Sequence, residues 1–131
     1  MSSYKLLSKN EYMPNLKVIL DKEGNLVFSQ IAKRIIELTG KMVLIYLDEN
    51  DPKNPLTLSF INKYEPNAFP IIREENGVCY IPTEKIFKEI NIDYSNGPIE
   101  FYLENMLNYG RNTYHLIQSE NTKKMNKRNN M

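Results

Sequence analysis

Two stretches decide the fold. The first is Leu20-Asp21-Lys22-Glu23-Gly24-Asn25-Leu26-Val27-Phe28-Ser29. The second is Ile71-Ile72-Arg73-Glu74-Glu75-Asn76-Gly77-Val78-Cys79-Tyr80-Ile81-Pro82-Thr83. Each runs from apolar, β-branched residues through a charged turn with a glycine into a second apolar run. Such runs favour strands. Gly24 and Gly77 can adopt the positive φ that a tight hairpin requires, and Asn76-Gly77 is the strongest short hairpin signal. Each hairpin then meets a helix start. Ser29 stands at an N-cap position, and Pro82-Thr83 puts proline at or near a first helical position.

Working outward, Leu16–Leu20 and Leu26–Phe28 read as the first two strands. Ile31, Ala32, Ile35, Ile36 and Leu38 follow at helical spacing, and Gly40 is the expected C′ glycine. Met42–Leu47 reads as a central strand, 48–55 as a charged turn with two prolines, and Leu56–Ile61 as a strand. The second half repeats the order. Ile71-Ile72 and Val78–Ile81 are strands. Ile86, Phe87, Ile90 and Ile92 form a helix face, which 94–98 breaks. Ile99–Leu103 and Thr113–Gln118 are strands joined by a connection over 106–111. Tyr4, Leu6 and Leu7 are expected to pack as one helical turn that Pro14 ends.

The organisation is therefore a lead-in over 1–15, a ββαββ unit over 16–62, a linker over 63–69, a second ββαββ unit over 70–118, and a polar tail over 119–131. At an offset of 53, Gly24 falls on Gly77 and Ser29 on Pro82. At 54, Ala32 falls on Ile86 and Ile36 on Ile90. At 56, 43–48 falls on 99–104 and 57–62 on 113–118. One such unit buries too little surface to be stable alone, whereas two can share a core across a pseudo-twofold axis. The fold class expected is α+β: tandem duplicated ββαββ units forming one pseudo-twofold, β-rich, swapped-hairpin-like barrel with two short helices.

A strand, a glycine turn, a strand ending in Ile-Pro or similar, a short helix and two more strands resembles the swapped-hairpin barrel of the AbrB and MraZ families. Two units in one chain resemble MraZ more specifically. The resemblance covers about 16–118 and rests on 20–29 and 76–82. It implies a bacterial DNA-binding transcription regulator whose DNA contacts lie around the hairpin and helix. Those families commonly place Arg directly after the turn glycine, in an Asp-x-x-x-Arg pattern. Here Asn25 and Val78 occupy that position, and Arg73 stands where the second acid would be.

Composition narrows the chemistry. Of 131 residues, 41% are hydrophobic and 25% charged, which is an ordinary globular balance. No apolar run approaches the ~18 residues of a membrane helix, and the N-terminus lacks a signal-peptide pattern, so a cytoplasmic location is expected. One cysteine, Cys79, excludes an internal disulfide framework and a Cys-based zinc site. Cys79 reads as a small core residue. His115 is the single histidine. No nucleophile, base and orienter recur at a motif spacing, and no phosphate-binding glycine motif occurs. Asp48, Glu49 and Asp51 lack EF-hand spacing and read as a solvated turn. No enzyme activity, metal, cofactor, membrane or small-molecule substrate is expected. Asn, Ile, Lys and Tyr make up 53 residues, all with A/T-rich codons, which points to the genome of a phage, a mobile element or a low-GC bacterium.

The net charge of +1 conceals an asymmetry. Residues 121–131 carry four basic groups and no acid, 16–62 are balanced at six against six, and 70–118 hold four basic against seven acidic. Nucleic-acid contact is therefore expected at Lys22, Lys33 and Arg34, and in the tail at Lys123, Lys124, Lys127 and Arg128. Duplex DNA is the partner on this reading. The alternative is a phage or mobile-element assembly protein, a virion accessory that binds protein partners or itself. It would use tyrosines such as Tyr64, Tyr94 and Tyr109, since tyrosine combines an apolar body with a polar tip, and its basic tail as a tether.

Overall fold

The computed structural model describes residues 3–7, 16–106 and 112–119. Within them the chain runs β1 (Lys17–Leu20), β2 (Asn25–Phe28), α1 (Gln30–Ile36), β3 (Met42–Leu47), β4 (Leu56–Ile61), β5 (Phe69–Pro70), β6 (Ile72–Arg73), β7 (Cys79–Pro82), α2 (Glu84–Glu89), β8 (Ile99–Asn105) and β9 (Thr113–Gln118). The strands form a single sheet in the order β5-β3-β4-β9-β8-β1-β2-β7-β6. Every ladder is antiparallel. The two end strands of that order, β5 and β6, are separated in the chain by Ile71 alone. The sheet is thereby drawn round into a nearly closed, barrel-like β domain with two helices.

Alternation builds the interior. Val18 and Leu20, Leu26 and Phe28, Leu56, Leu58 and Phe60, and Ile99, Phe101 and Leu103 point inward and are buried. Burying one such side chain contributes about 1.5–3 kcal/mol. Phe60 stacks edge-on against Phe28 at 5.8 Å and Tyr114 at 5.9 Å. Burial pushes the Tyr114 hydroxyl above its ordinary pKa by desolvating the phenolate. Cys79 is a free, buried thiol.

Four local expectations are corrected. Gly40 does not end α1. Glu37 adopts the left-handed conformation there (φ 57°) and donates its N–H to the Lys33 carbonyl. Leu38 is buried, so the chain must leave the helix early to seat it. Ile35 is 55% exposed while Ala32 and Ile36 are buried, so the apolar face of α1 is narrower than its sequence pattern. Phe69, expected in a linker, belongs to β5 and pairs with Val43. Tyr4, Leu6 and Leu7 form no helical turn; all three are exposed.

The first half runs as two strands, a helix and two strands; in the second, three strands (β5, β6 and β7) precede the helix and two follow it. The β1·β2 pair Ile19↔Val27 has its counterpart at offset 53 in Ile72↔Tyr80 of β6·β7. The last two strands do not keep the offset of 56. It would set Tyr102 opposite Thr113, whereas Tyr102 pairs with Ile117. β8 is one residue longer than β3 and slides further along its partner, and the halves differ there.

Candidate nucleic-acid interface

The two hairpin turns share one hydrogen-bonded frame. In the first, Gly24 N–H donates to the Asp21 carbonyl and Asp21 N–H to the Asn25 carbonyl, both at 3.0 Å. In the second, Gly77 N–H donates to the Glu74 carbonyl at 2.9 Å and Glu74 N–H to the Val78 carbonyl at 2.8 Å. The glycines have φ of +87° and +88°. The Asp21 carboxylate adds two acceptor contacts, from the N–H groups of Glu23 and Asn25. Asp21 thus serves the turn by itself, with no arginine partner needed after the glycine.

Each turn is held by the other half, the first at the start of α2 and the second by a side chain from the last turn of α1. The Thr83 hydroxyl donates to the Gly24 carbonyl at 2.8 Å. The Lys33 ammonium donates to the Gly77 carbonyl at 2.5 Å. Ser29 caps α1 by accepting the Ala32 N–H at 3.1 Å, a contact that typically contributes about 1 kcal/mol. Thr83, at the matching position before α2, makes no cap bond; its hydroxyl is committed to the opposite hairpin. Thr83 is 1% exposed, so losing the hydroxyl leaves a desolvated carbonyl unpaired. Thr83→Val is expected to cost about 1–3 kcal/mol, and Thr83→Ser far less, as read from urea midpoints.

The predicted cations therefore divide. Lys22 lies exposed in the first turn, whose Gly24 abuts the start of α2; Arg34 lies exposed on α1, next in sequence to Lys33. Lys33 is engaged with Gly77. Lys41 donates to the Ile36 carbonyl at 2.6 Å, and Arg73 to the Thr39 hydroxyl at 3.3 Å. The antiparallel β2·β7 ladder, with Asn25 opposite Pro82 and Val27 opposite Tyr80, sets the turns at opposite ends, about 20 Å apart along the strands. Sequence reasoning missed Lys85 and Lys88, which are exposed on α2 beside the Lys22 turn. Their signal was hidden by the acidic balance of the second half. Lys88 bonds Glu84 at 2.7 Å. That hydrogen bond, followed by charge attraction, holds the Glu84 carboxyl below its ordinary pKa and the ammonium above its own.

Of the tyrosines, Tyr64 is 81% exposed. Tyr94 is partly buried, packs against the core, and places its hydroxyl beside Gly24. Tyr109, Lys123, Lys124, Lys127 and Arg128 lie outside the described residues. His115 lies 2.6 Å from the Asn54 carbonyl and 3.7 Å from the Asp51 carboxylate, pinning the 48–55 loop onto β9. Beside that loop a cleft of about 420 Å³ is lined by Tyr46, Asp48, Thr57, Ser59, Met106 and Thr113. Its hydroxyls face inward partners: Ser59 and Thr113 bond each other at 3.2 Å, and Thr57 donates to the Met106 sulfur at 3.8 Å. Among the described residues, no His, Cys, Asp or Glu cluster is arranged to hold a metal, and no helix is long and apolar enough to cross a membrane.

Comparisons with protein-family models, curated proteins and solved structures find no match.

Proposed function

We propose that this protein is a non-enzymatic DNA-binding transcription regulator built on a tandem swapped-hairpin barrel of the AbrB and MraZ type. The observation that carries the reading is reciprocal. Each half's turn glycine has its carbonyl held by a side chain from the other half, Thr83 just before α2 for Gly24 and Lys33 in the last turn of α1 for Gly77. That exchange of hairpins is what a swapped-hairpin pair joined into one chain requires. The matched turn frames and the offset of 53 in the hairpin ladders support the duplication.

In this reading duplex DNA meets the two hairpin–helix junctions, with Lys22 and Lys85 at one and Arg34 at the other. Lys33 positions the second turn. The tail cations Lys123, Lys124, Lys127 and Arg128 add phosphate contacts that carry no sequence information. A second reading, docking of protein partners, is favoured by the exposed Tyr64 ring and by the engagement of Lys33, Lys41 and Arg73 within the fold.

A salt titration of duplex binding by fluorescence anisotropy separates the two. Log K is expected to fall linearly with log salt. The Lys22→Ala/Arg34→Ala double variant should bind more weakly and lower the slope by about 2, and removal of 121–131 by about 3–4. Absence of duplex binding at low salt overturns the regulator reading and leaves the docking one.

A further inference from the structure

Among the described residues, the barrel's seam leaves β3 open. β3 pairs with β4 along all six residues, Met42 to Leu47. On its other side, β5 covers only Met42 and Val43. β8 is better covered on the matching side: β1 pairs with Ile99 to Tyr102, and Leu103 N–H reaches the Leu16 carbonyl at 2.9 Å. The difference arises at Ile71, where the chain leaves β3 and crosses to pair Ile72 with Tyr80. Leu44–Leu47 is left with no ladder partner on that side among the described residues. In an antiparallel strand, half of the residues direct both N–H and C=O toward such an edge.

This edge also lacks the usual protection. Natural sheets blunt exposed edges with charge, proline or a bulge. Leu44-Ile45-Tyr46-Leu47 has no charge and no proline, and Tyr46 and Leu47 are 55% and 53% exposed. The chain has a second apolar stretch with nothing against it. Ser3–Leu7 are all exposed, with Tyr4 at 94% and Leu6 at 96%. These five residues are enough to span the four of the open edge. Tyr4 and Leu6 alternate with Lys5, as a half-buried strand requires.

We propose that a second copy of the chain closes this seam, its residues 3–7 docking as an added strand on Leu44–Leu47 in a reciprocal exchange. Backbone bonds across the edge supply the affinity, and alternate side chains supply the fit. With Tyr4 and Leu6 turned inward beside Ile45 and Leu47, Lys5 turns outward on the face that carries Tyr46 and Asp48, where the charges are opposite. The occupant is a second copy because each chain offers both parts, the exposed Ser3–Leu7 and the uncovered edge Leu44–Leu47, with the Lys5 charge opposite to that of Asp48. Reciprocal exchange then gives a closed twofold dimer.

The test is the mass in solution of the full chain and two variants. The full chain should form a dimer at concentrations up to about 100 μM, where a micromolar dissociation constant registers. Deletion of 1–7, which leaves every strand intact, and Tyr46→Lys, which puts charge on the edge, should each raise the dissociation constant more than about tenfold. Mixed together, the deletion chain and the Tyr46→Lys chain should pair one to one, because one retains the acceptor and the other the donor. A monomeric full chain overturns the proposal. So does a deletion chain that still dimerises, the result that edge-to-edge pairing of two β3 strands gives.

Discussion

Gly24→Ala is expected to destabilise the protein by about 3–5 kcal/mol, through backbone strain and overpacking together. Gly77→Ala is the internal control. Both glycines sit in the same turn frame at nearly the same φ, +87° and +88°. The conformational cost of a side chain there, about 1–2 kcal/mol, is common to both. The surroundings differ. A Cβ on Gly24 would lie 2.8 Å from both Cα and Cβ of Glu84 and 2.9 Å from the Tyr94 hydroxyl. Backbone at the start of α2 cannot yield as a flexible side-chain tip can. At Gly77 the nearest atom is the Lys33 ammonium at 3.9 Å, an ordinary contact. Urea unfolding should therefore show a midpoint shift for Gly24→Ala at least twice that for Gly77→Ala, with similar slopes. Equal shifts would mean that the first turn is not seated on α2.

Phe87→Ala is expected to cost about 3–5 kcal/mol, as a large ring removed from a closed interior leaves a cavity. Phe87 is fully buried and packs against Phe101 at 5.8 Å. It is the side chain that fastens the six-residue α2 to the sheet, since a helix that short has little stability of its own. Ile35→Ala is the contrast. Ile35 belongs to the same kind of sequence pattern on α1 but is 55% exposed. It should change stability by no more than about 0.5 kcal/mol, as surface substitutions generally do. A near-neutral Phe87→Ala would mean that α2 is not docked on the sheet.

Ile35 and Phe87 also show how far periodicity could be read. The spacing of Ile31, Ala32, Ile35 and Ile36 marks a helix with an apolar side. How much of that side the sheet covers depends on where the helix axis lies. Gly40 illustrates the same limit. A left-handed helix end was legible in the glycine, but the burial of Leu38 moved it to Glu37, and Gly40 took the next turn instead. The candidate cations were legible as charges and not as contacts. Nothing local to Lys33 distinguishes it from Arg34, yet one holds a carbonyl and the other faces solvent.

The sequence by itself determined the order of the longer strands and the two helices, and the two glycine turns; the short β5 was not legible in it. These follow from φ preferences and from periodicities that act over a few residues. Only the tertiary structure decided which helix seats each turn, which lysines remain free, and where the barrel's seam stays open. Those depend on contacts such as Lys33 to Gly77 and Thr83 to Gly24, 44 and 59 residues apart. Over such separations the chain's local preferences are satisfied equally by many arrangements, and only the shared packing of both halves selects one.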